Sequence, residues 1–244
     1  MKVFKNDWIK IFNNDNRRVL ETIKSKTVDL VLTDPPYKDY KSNRRKKEST
    51  DIKKIDRLDY NPNYLISEIA RVLKNDRHFY IWTDDAHFSE LFQEIENHKD
   101  LKYKNMLVWV KNNHGAGDLK GNYSPQHEII IYGVKNKGRS LFGKRMPNVF
   151  FKKDQGCITF ISRVSSDKFK HGTIKPIEIL KELIEKSTKK NEVVLDMYAG
   201  SMTTGLACLE LERKSILIEK DAFHFKNGVN QIKKYFKENY YVSN

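Results

Sequence analysis

Two short stretches hold residues whose types and spacing could do chemistry. The first closes the run VDLVLTDPPY, residues 28–37. An apolar strand-like segment ends on Thr33 and Asp34, then passes through Pro35 and Pro36 to Tyr37. Asp34 at a strand end can accept hydrogen bonds. Each proline fixes its φ and lacks an N–H, so the carbonyls are held rigidly and can accept. Tyr37 adds a flat face. Acceptor, rigid carbonyl and stacking ring together suit a planar heterocycle with an exocyclic amine. The plainer reading is a polar turn, since Asp-Pro-Pro is good turn chemistry.

The second stretch is DMYAGSMTTG, residues 196–205. An acid ends a strand, a turn with Gly200 follows, and a helix starts at Thr203. Glycine lets backbone approach a ligand closely, and a helix N-terminus favours an anionic group. A second acid, Glu219, ends the next strand, where a ribose diol would lie. Leu206 stands where a phosphate-binding loop needs lysine, and G-x-G-x-x-G is absent. An ordinary strand-to-helix turn would look much the same.

The elements that must position these residues alternate along the chain. Strands are expected over DWIKIF, VDLVLT, HFYIWT (78–83), NMLVWVK (105–111), EIIIYGV (128–134), EVVLDMY and KSILIEKD. Helices are expected over NRRVLETIK, from Pro62, over 85–98, from Pro176 to about Ser187, over TTGLACLEL and over the last stretch from Phe223. Such alternation argues for a mostly parallel sheet with helices on both faces, whose ligands sit at the carboxyl ends of the strands. Trp82 and Trp109 are read as core, and His127 and His171 as structural or supporting.

The 244 residues, 39% of them hydrophobic, are enough for one sizeable core, so 1–244 is read as a single domain. The net charge of +14 is concentrated. Segment 38–57 has nine Lys/Arg against four Asp/Glu, and 133–172 has ten against two. Such concentration favours a phosphate-contacting surface over general solubility. Segment 38–57 carries few apolar residues and is expected to be a mobile basic loop. The strand–helix rhythm lapses over 135–170. Two cysteines are too few for a disulfide scaffold, and the histidines show no metal spacing. With no apolar run long enough for a signal peptide or a membrane span, the expected location is cytoplasmic.

These stretches carry a resemblance. TDPPY resembles the catalytic motif of DNA amino-methyltransferases. LDMYAGSMTTG resembles their S-adenosylmethionine motif, D-x-F-x-G-S-G-T-T. The order, catalytic motif first, is that of the permuted β group. NND (13–15), IARVLKNDRHFYIW, MLVWVKNN, HEIIIYGVK, HGTIKPIEILKELIEKST and ILIEKD resemble further family motifs, so the likeness spans nearly the whole chain.

The resemblance implies a Rossmann-like methyltransferase fold and transfer of a methyl group from S-adenosylmethionine to the N6 amine of a flipped adenine. Asp34, Pro35, Pro36 and Tyr37 would be catalytic. Cofactor contacts would come from Asp15, Asp34, His171, Thr173, Lys175, Asp196, Tyr198, Ala199, Gly200, Ser201, Met202, Thr203, Thr204, Glu219 and Lys220. Lys175 would meet the cofactor's carboxylate. Double-stranded DNA would be held by Arg44, Arg45, Lys46 and Lys47, and read by Arg139, Lys144 and Arg145 within a target-recognition insertion at 135–170. A cognate restriction nuclease would be a partner, and the protein a monomer or homodimer. Met202 and Asn14 replace family glycines. Met202 is expected to put a flexible side chain beside the cofactor and weaken its binding. Rival readings are a cytosine-N4 enzyme, for which serine is commoner in place of Asp34, and a non-catalytic DNA-binding relative with a weakened cofactor site.

Overall fold

The computed structural model describes residues 2–36, 61–112, 120–150, 152–154, 157–159 and 174–240. In chain order its elements are β1 (Lys2–Lys5), β2 (Ile9–Asn13), α1 (Asn16–Leu20), β3 (Val28–Thr33), α2 (Pro62–Val72), β4 (Leu73–Thr83), α3 (Asp85–Asn97), β5 (Leu101–Val110), β6 (His127–Lys135), β7 (Val149–Phe150), β8 (Lys152–Asp154), β9 (Cys157–Thr159), α4 (Ile177–Ser187), β10 (Val193–Asp196), α5 (Thr203–Glu210), β11 (Lys214–Glu219) and α6 (Ala222–Tyr240). Among these residues one sheet runs β1-β2-β11-β10-β3-β4-β6-β5-β7, and β8 pairs separately with β9.

Strands β2, β11, β10, β3 and β4 run parallel. β6 runs antiparallel to both β4 and β5. Every residue of β3 is buried, as befits a central strand covered on both faces. Its side chains alternate between faces. Val31 joins Phe79 and Ile81 against Leu65, Ile66 and Ile69 of α2 and Leu91 and Ile95 of α3. Leu30 and Leu32 join Tyr80 and Trp82 against Ile179, Leu180, Leu183 and Ile184 of α4. A third cluster packs Ile9, Ile11 and Leu217 against Val229 and Ile232 of α6. The architecture is the expected mostly parallel, Rossmann-like α/β sandwich. No described helix is long and apolar enough to cross a membrane.

Local chemistry sets the helix starts. Asn61 caps α2 by accepting the Tyr64 N–H at 2.9 Å, with Pro62 in the first turn. Asp84 caps α3 through the His87 N–H at 2.9 Å. Some boundaries differ from the sequence reading. α1 ends at Leu20, where turn bonds from Thr22 and Ile23 close the chain back on Val19 and Leu20. β4 begins at Leu73, directly after α2, and β1 is an edge strand that the pattern did not reveal.

From β3 the chain crosses through α2 to β4; from β10 it crosses through α5 to β11, on the other side. β3 and β10 are neighbours, so the direction of winding reverses between them. In open α/β sheets that reversal opens a crevice outside the carboxyl ends of the two strands. Both stretches singled out in the sequence leave the sheet there.

Candidate active site

The crevice is tied across its base by buried hydrogen bonds. Thr33 Oγ1, at the end of β3, donates to Asp196 Oδ1 at 3.0 Å and accepts the Met197 N–H at 3.1 Å. Asp196 also accepts from Thr204 Oγ1 at 2.7 Å and from the Tyr198 N–H at 3.1 Å. Burial pushes its carboxyl up to about 6, against these hydrogen bonds and with help from the nearby Asp34. Asp196 therefore anchors the turn through bonds to its own chain.

Glu219, at the end of β11, accepts the Gly200 N–H at 2.8 Å and the Asp221 N–H at 2.7 Å. Burial pushes it up to about 7, with Asp221 and Asp196 adding to the rise. Among the described residues no lysine or arginine pairs with it. Asn13 Nδ2 donates to the carbonyls of Glu219 and Lys220, both at 3.0 Å. Asp15 lies beside them, capping α1 and sitting 3.5 Å from Lys220 Nζ. Gly200 has φ +48°, as a tight turn requires. Tyr198, Gly200 and Ser201 are half-buried, Ala199 and Thr204 buried, and the hydroxyls of Ser201 and Thr203 are 2.8 Å apart. The fold thus gathers Asp15, Asp34, Lys175, residues 196–204, Glu219 and Lys220 at one end of the sheet.

Three expectations change. Met202 adopts φ +62° at the start of α5, and its side chain is fully buried in the α6-facing cluster, with Ile9, Leu217 and Ile232. It does not project beside the crevice, so the expected obstruction is absent. Lys175 Nζ lies 2.8 Å from Asp34 Oδ2 and 3.0 Å from Glu128 Oε2. Its ammonium is engaged by the protein's own carboxylates, where a contact to the cofactor's carboxylate was expected.

The third change concerns the basic recognition segment. The Arg139 N–H donates to the Asp76 carbonyl at 3.0 Å, some seven strand residues, roughly 23 Å, from the crevice end of β4 at Thr83. Its guanidinium binds Glu192 Oε1 at 2.9 Å and the Ser187 carbonyl, and lies 4.9 Å from the Phe142 ring centre. The Lys144 carbonyl accepts from Lys186 in the last turn of α4. Arg139 and Lys144, with the adjacent Arg145, therefore sit at the end of the sheet away from Asp34, and Arg139 is a structural cation. Composition located the charge but not the end of the sheet it occupies. Tyr37, Arg44, Arg45, Lys46, Lys47, His171, Thr173 and the 38–57 loop lie outside the described residues.

Thr33, Glu128 and Lys111 were missed as site residues. A threonine at a strand end carries no distinctive signal. Glu128, the only charged residue within the run HEIIIYGV, was the available hint.

The fold and this crevice define a class, the S-adenosylmethionine-dependent methyltransferases. The solved structure of M1.HpyAVI in complex with SAM superposes with a TM-score of 0.68 at 24% identity, covering 91% of this chain and 99% of that one. PvuII DNA methyltransferase (cytosine-N4-specific) gives a TM-score of 0.70 at 16% identity, covering 92% and 86%. The DNA methylase family matches residues 28–231, and the chain belongs to that family. Similar curated proteins include the DNA adenine methyltransferase YhdJ of Escherichia coli K12, 27% identical over 256 residues, covering 94% of this chain and 84% of that protein. Another is the type II methyltransferase M.HpaI of Haemophilus parainfluenzae, 24% identical over 215 residues, covering 83% and 67%. The family's methyl donor is S-adenosylmethionine, and the residues here fit it. A half-buried Glu219 whose partners are backbone amides keeps acceptor capacity for a diol.

Proposed function

We propose that this DNA methyltransferase is a site-specific adenine-N6 enzyme of the permuted β group, with Asp34-Pro35-Pro36-Tyr37 as its catalytic motif. The observation that carries the reading is the Thr33–Asp196 hydrogen bond of 3.0 Å, which joins the proposed target-base strand to the cofactor strand at the winding reversal. A base held at Asp34 and a donor held along residues 196–204 would share one crevice.

Adenine's N6 is a poor nucleophile because its lone pair is delocalised into the ring. Asp34 and the Pro35 carbonyl would accept its two hydrogens and localise that pair. The prolines keep the carbonyl direction fixed, so little rearrangement is needed at the moment of transfer. When bound, S-adenosylmethionine supplies an electrophilic sulfonium methyl. Glu219 would hold the ribose hydroxyls, and Asp15 would face the adenine of the same molecule. The target amine is inaccessible in a duplex, so the base must be flipped out, and Tyr37 would stack on it.

The test is to incubate the protein with duplex DNA and S-adenosylmethionine carrying a labelled methyl group, then identify the labelled nucleoside by mass spectrometry. N6-methyladenine is expected. N4-methylcytosine would overturn the adenine assignment and leave the methyltransferase standing.

A further inference from the structure

Behind Asp34 lies a chain of four alternating charges drawn from four parts of the fold. Lys111, just after β5, has its Nζ 3.6 Å from Glu128 Oε1. Glu128, in β6, reaches Lys175 Nζ with its other oxygen at 3.0 Å. Lys175, ahead of α4, reaches Asp34 Oδ2 at 2.8 Å. The Lys175 ammonium also lies 4.9 Å from the centre of the Trp82 ring, on β4. Lys111 and Lys175 are each only 8% exposed. Taking such groups out of water is costly, and a buried ion pair is weak evidence for stability, since apolar residues can do as well. Their concentration at the crevice points to a task there.

Resting on the function proposed above, we infer that Lys175 and Glu128 are positioning residues for Asp34, keeping its carboxylate ionised and fixing its direction. Asp34 works only as an acceptor. A protonated acid would offer a hydrogen to an amine that must itself donate. Asp34 stands close to the buried Asp196, whose negative charge would favour a proton on one of the two. The Lys175 cation opposes that. Glu128 holds Lys175 from behind, and Lys111 keeps Glu128 charged. Burial alone would neutralise both middle members. The lysine pair instead holds the Glu128 carboxyl below its usual range, and Asp34 with Glu128 holds Lys175 above its own. The charged groups facing Asp34 among the described residues are thus Lys175 directly, Glu128 and Lys111 behind it, and Asp196 across the crevice.

The experiment is the pH dependence of single-turnover methyl transfer, read together with S-adenosylmethionine affinity by calorimetry. In Lys175→Gln, Asp34 loses the Lys175 cation, so the fall in rate on acidification should begin higher by about 1–3 pH units. Rate at neutral pH should drop roughly 100-fold, as for a misplaced catalytic group. In Glu128→Gln, Lys175 serves Asp34 alone, so the fall should move the opposite way. Lys175→Arg should restore the position of the fall without the full rate. Cofactor affinity should stay within about threefold in all three, because the network faces Asp34.

Opposed shifts of this kind are not expected of residues that only support the fold. Should Lys175→Gln fail to fold, the downward shift in Glu128→Gln still decides. An unmoved profile in both variants, with Asp34→Asn inactive, overturns the positioning role and leaves the proposed function intact. Loss of cofactor affinity in Lys175→Gln with an unmoved profile makes Lys175 a cofactor contact instead. Near-normal transfer by Asp34→Asn removes the function reading of Asp34 itself.

Discussion

The side chain of Met202 fills the space that Gly228 leaves open: a Cβ on Gly228 would lie 2.1 Å from Met202 Cγ. The contact ties the turn before α5 to α6. Glycine inside a helix costs roughly 0.5–1 kcal/mol relative to alanine, so Gly228 is retained at a cost that Met202 explains. Gly228→Ala should destabilise the protein by about 1–3 kcal/mol through overpacking. In a Met202→Ala background only the Cβ of residue 202, at 3.1 Å, remains to be met, so the same change should cost much less. Urea unfolding of the four proteins in the cycle reads the coupling, and strict additivity would mean that the contact is not made.

Met202→Gly should leave S-adenosylmethionine affinity nearly unchanged. The left-handed backbone at 202 suits glycine, but the lost side chain leaves a cavity of the kind that costs about 2–5 kcal/mol. Net destabilisation is therefore expected. Calorimetry and thermal unfolding separate the two effects; tighter binding by the glycine variant would restore the view that Met202 obstructs the cofactor.

Asp34→Ala should abolish methyl transfer while S-adenosylmethionine still binds. Asp34 directly follows β3, whereas Asp196, Glu219 and Asp15, proposed for the rest of the cofactor, lie at or just after the ends of β10, β11 and β2. Single-turnover kinetics and calorimetry on one preparation check this. Equal loss of binding and transfer would place Asp34 among the cofactor contacts.

Cofactor binding should strengthen as pH rises through about 7, where Glu219 ionises in the ligand-free fold, against an ordinary value of 4.5. The folded state holds a proton there that the unfolded chain has released. Its contribution to stability is fully present below pH 4.5 and is lost as pH rises through about 7. A ribose diol donates to the carboxylate, so the ligand favours the ionised form. The rise in melting temperature with saturating S-adenosylmethionine should therefore grow between about pH 6 and 8, and Glu219→Gln should flatten it. An equally steep profile in that variant would assign the titration elsewhere.

Arg139→Ala should destabilise the protein without changing which DNA sites are methylated. Its bonds to Glu192 and the Ser187 carbonyl are charge-assisted, and such bonds are worth about 1.5–3 kcal/mol each. Denaturant unfolding and sequencing of modified sites check the two halves. Altered site preference with unchanged stability would return Arg139 to the recognition surface.

Much of the site was legible because each of its acids closes an apolar run. Asp34, Asp196 and Glu219 mark strand ends, and parallel sheets gather their carboxyl ends. The alternation of strands and helices gave the layers for the same reason. The Lys175–Glu128 pair was not legible, because no spacing in sequence relates a residue before one helix to the start of a distant, reversed strand. The direction of Met202 was hidden by its left-handed backbone, which a methionine does not advertise. The end of the sheet taken by Arg139 depends on β6 running antiparallel, and a strand's direction leaves no mark in its own pattern.

Strands β2 and β3 follow one another in the chain, yet β11 and β10 stand between them in the sheet. A chain emerging from the ribosome makes the two flanking strands early and must keep a slot open for strands formed by residues 193–219. Until those arrive, one long edge each of β2 and β3 is unpaired, a template for mispairing with other chains. The pairings that fill the slot span most of the sequence, and such closures are slow. Filling it also creates the crevice. A nascent or truncated chain carries the Asp34 side of the site long before it carries the Asp196 side, so the site is completed only after residues 193–219 have been made.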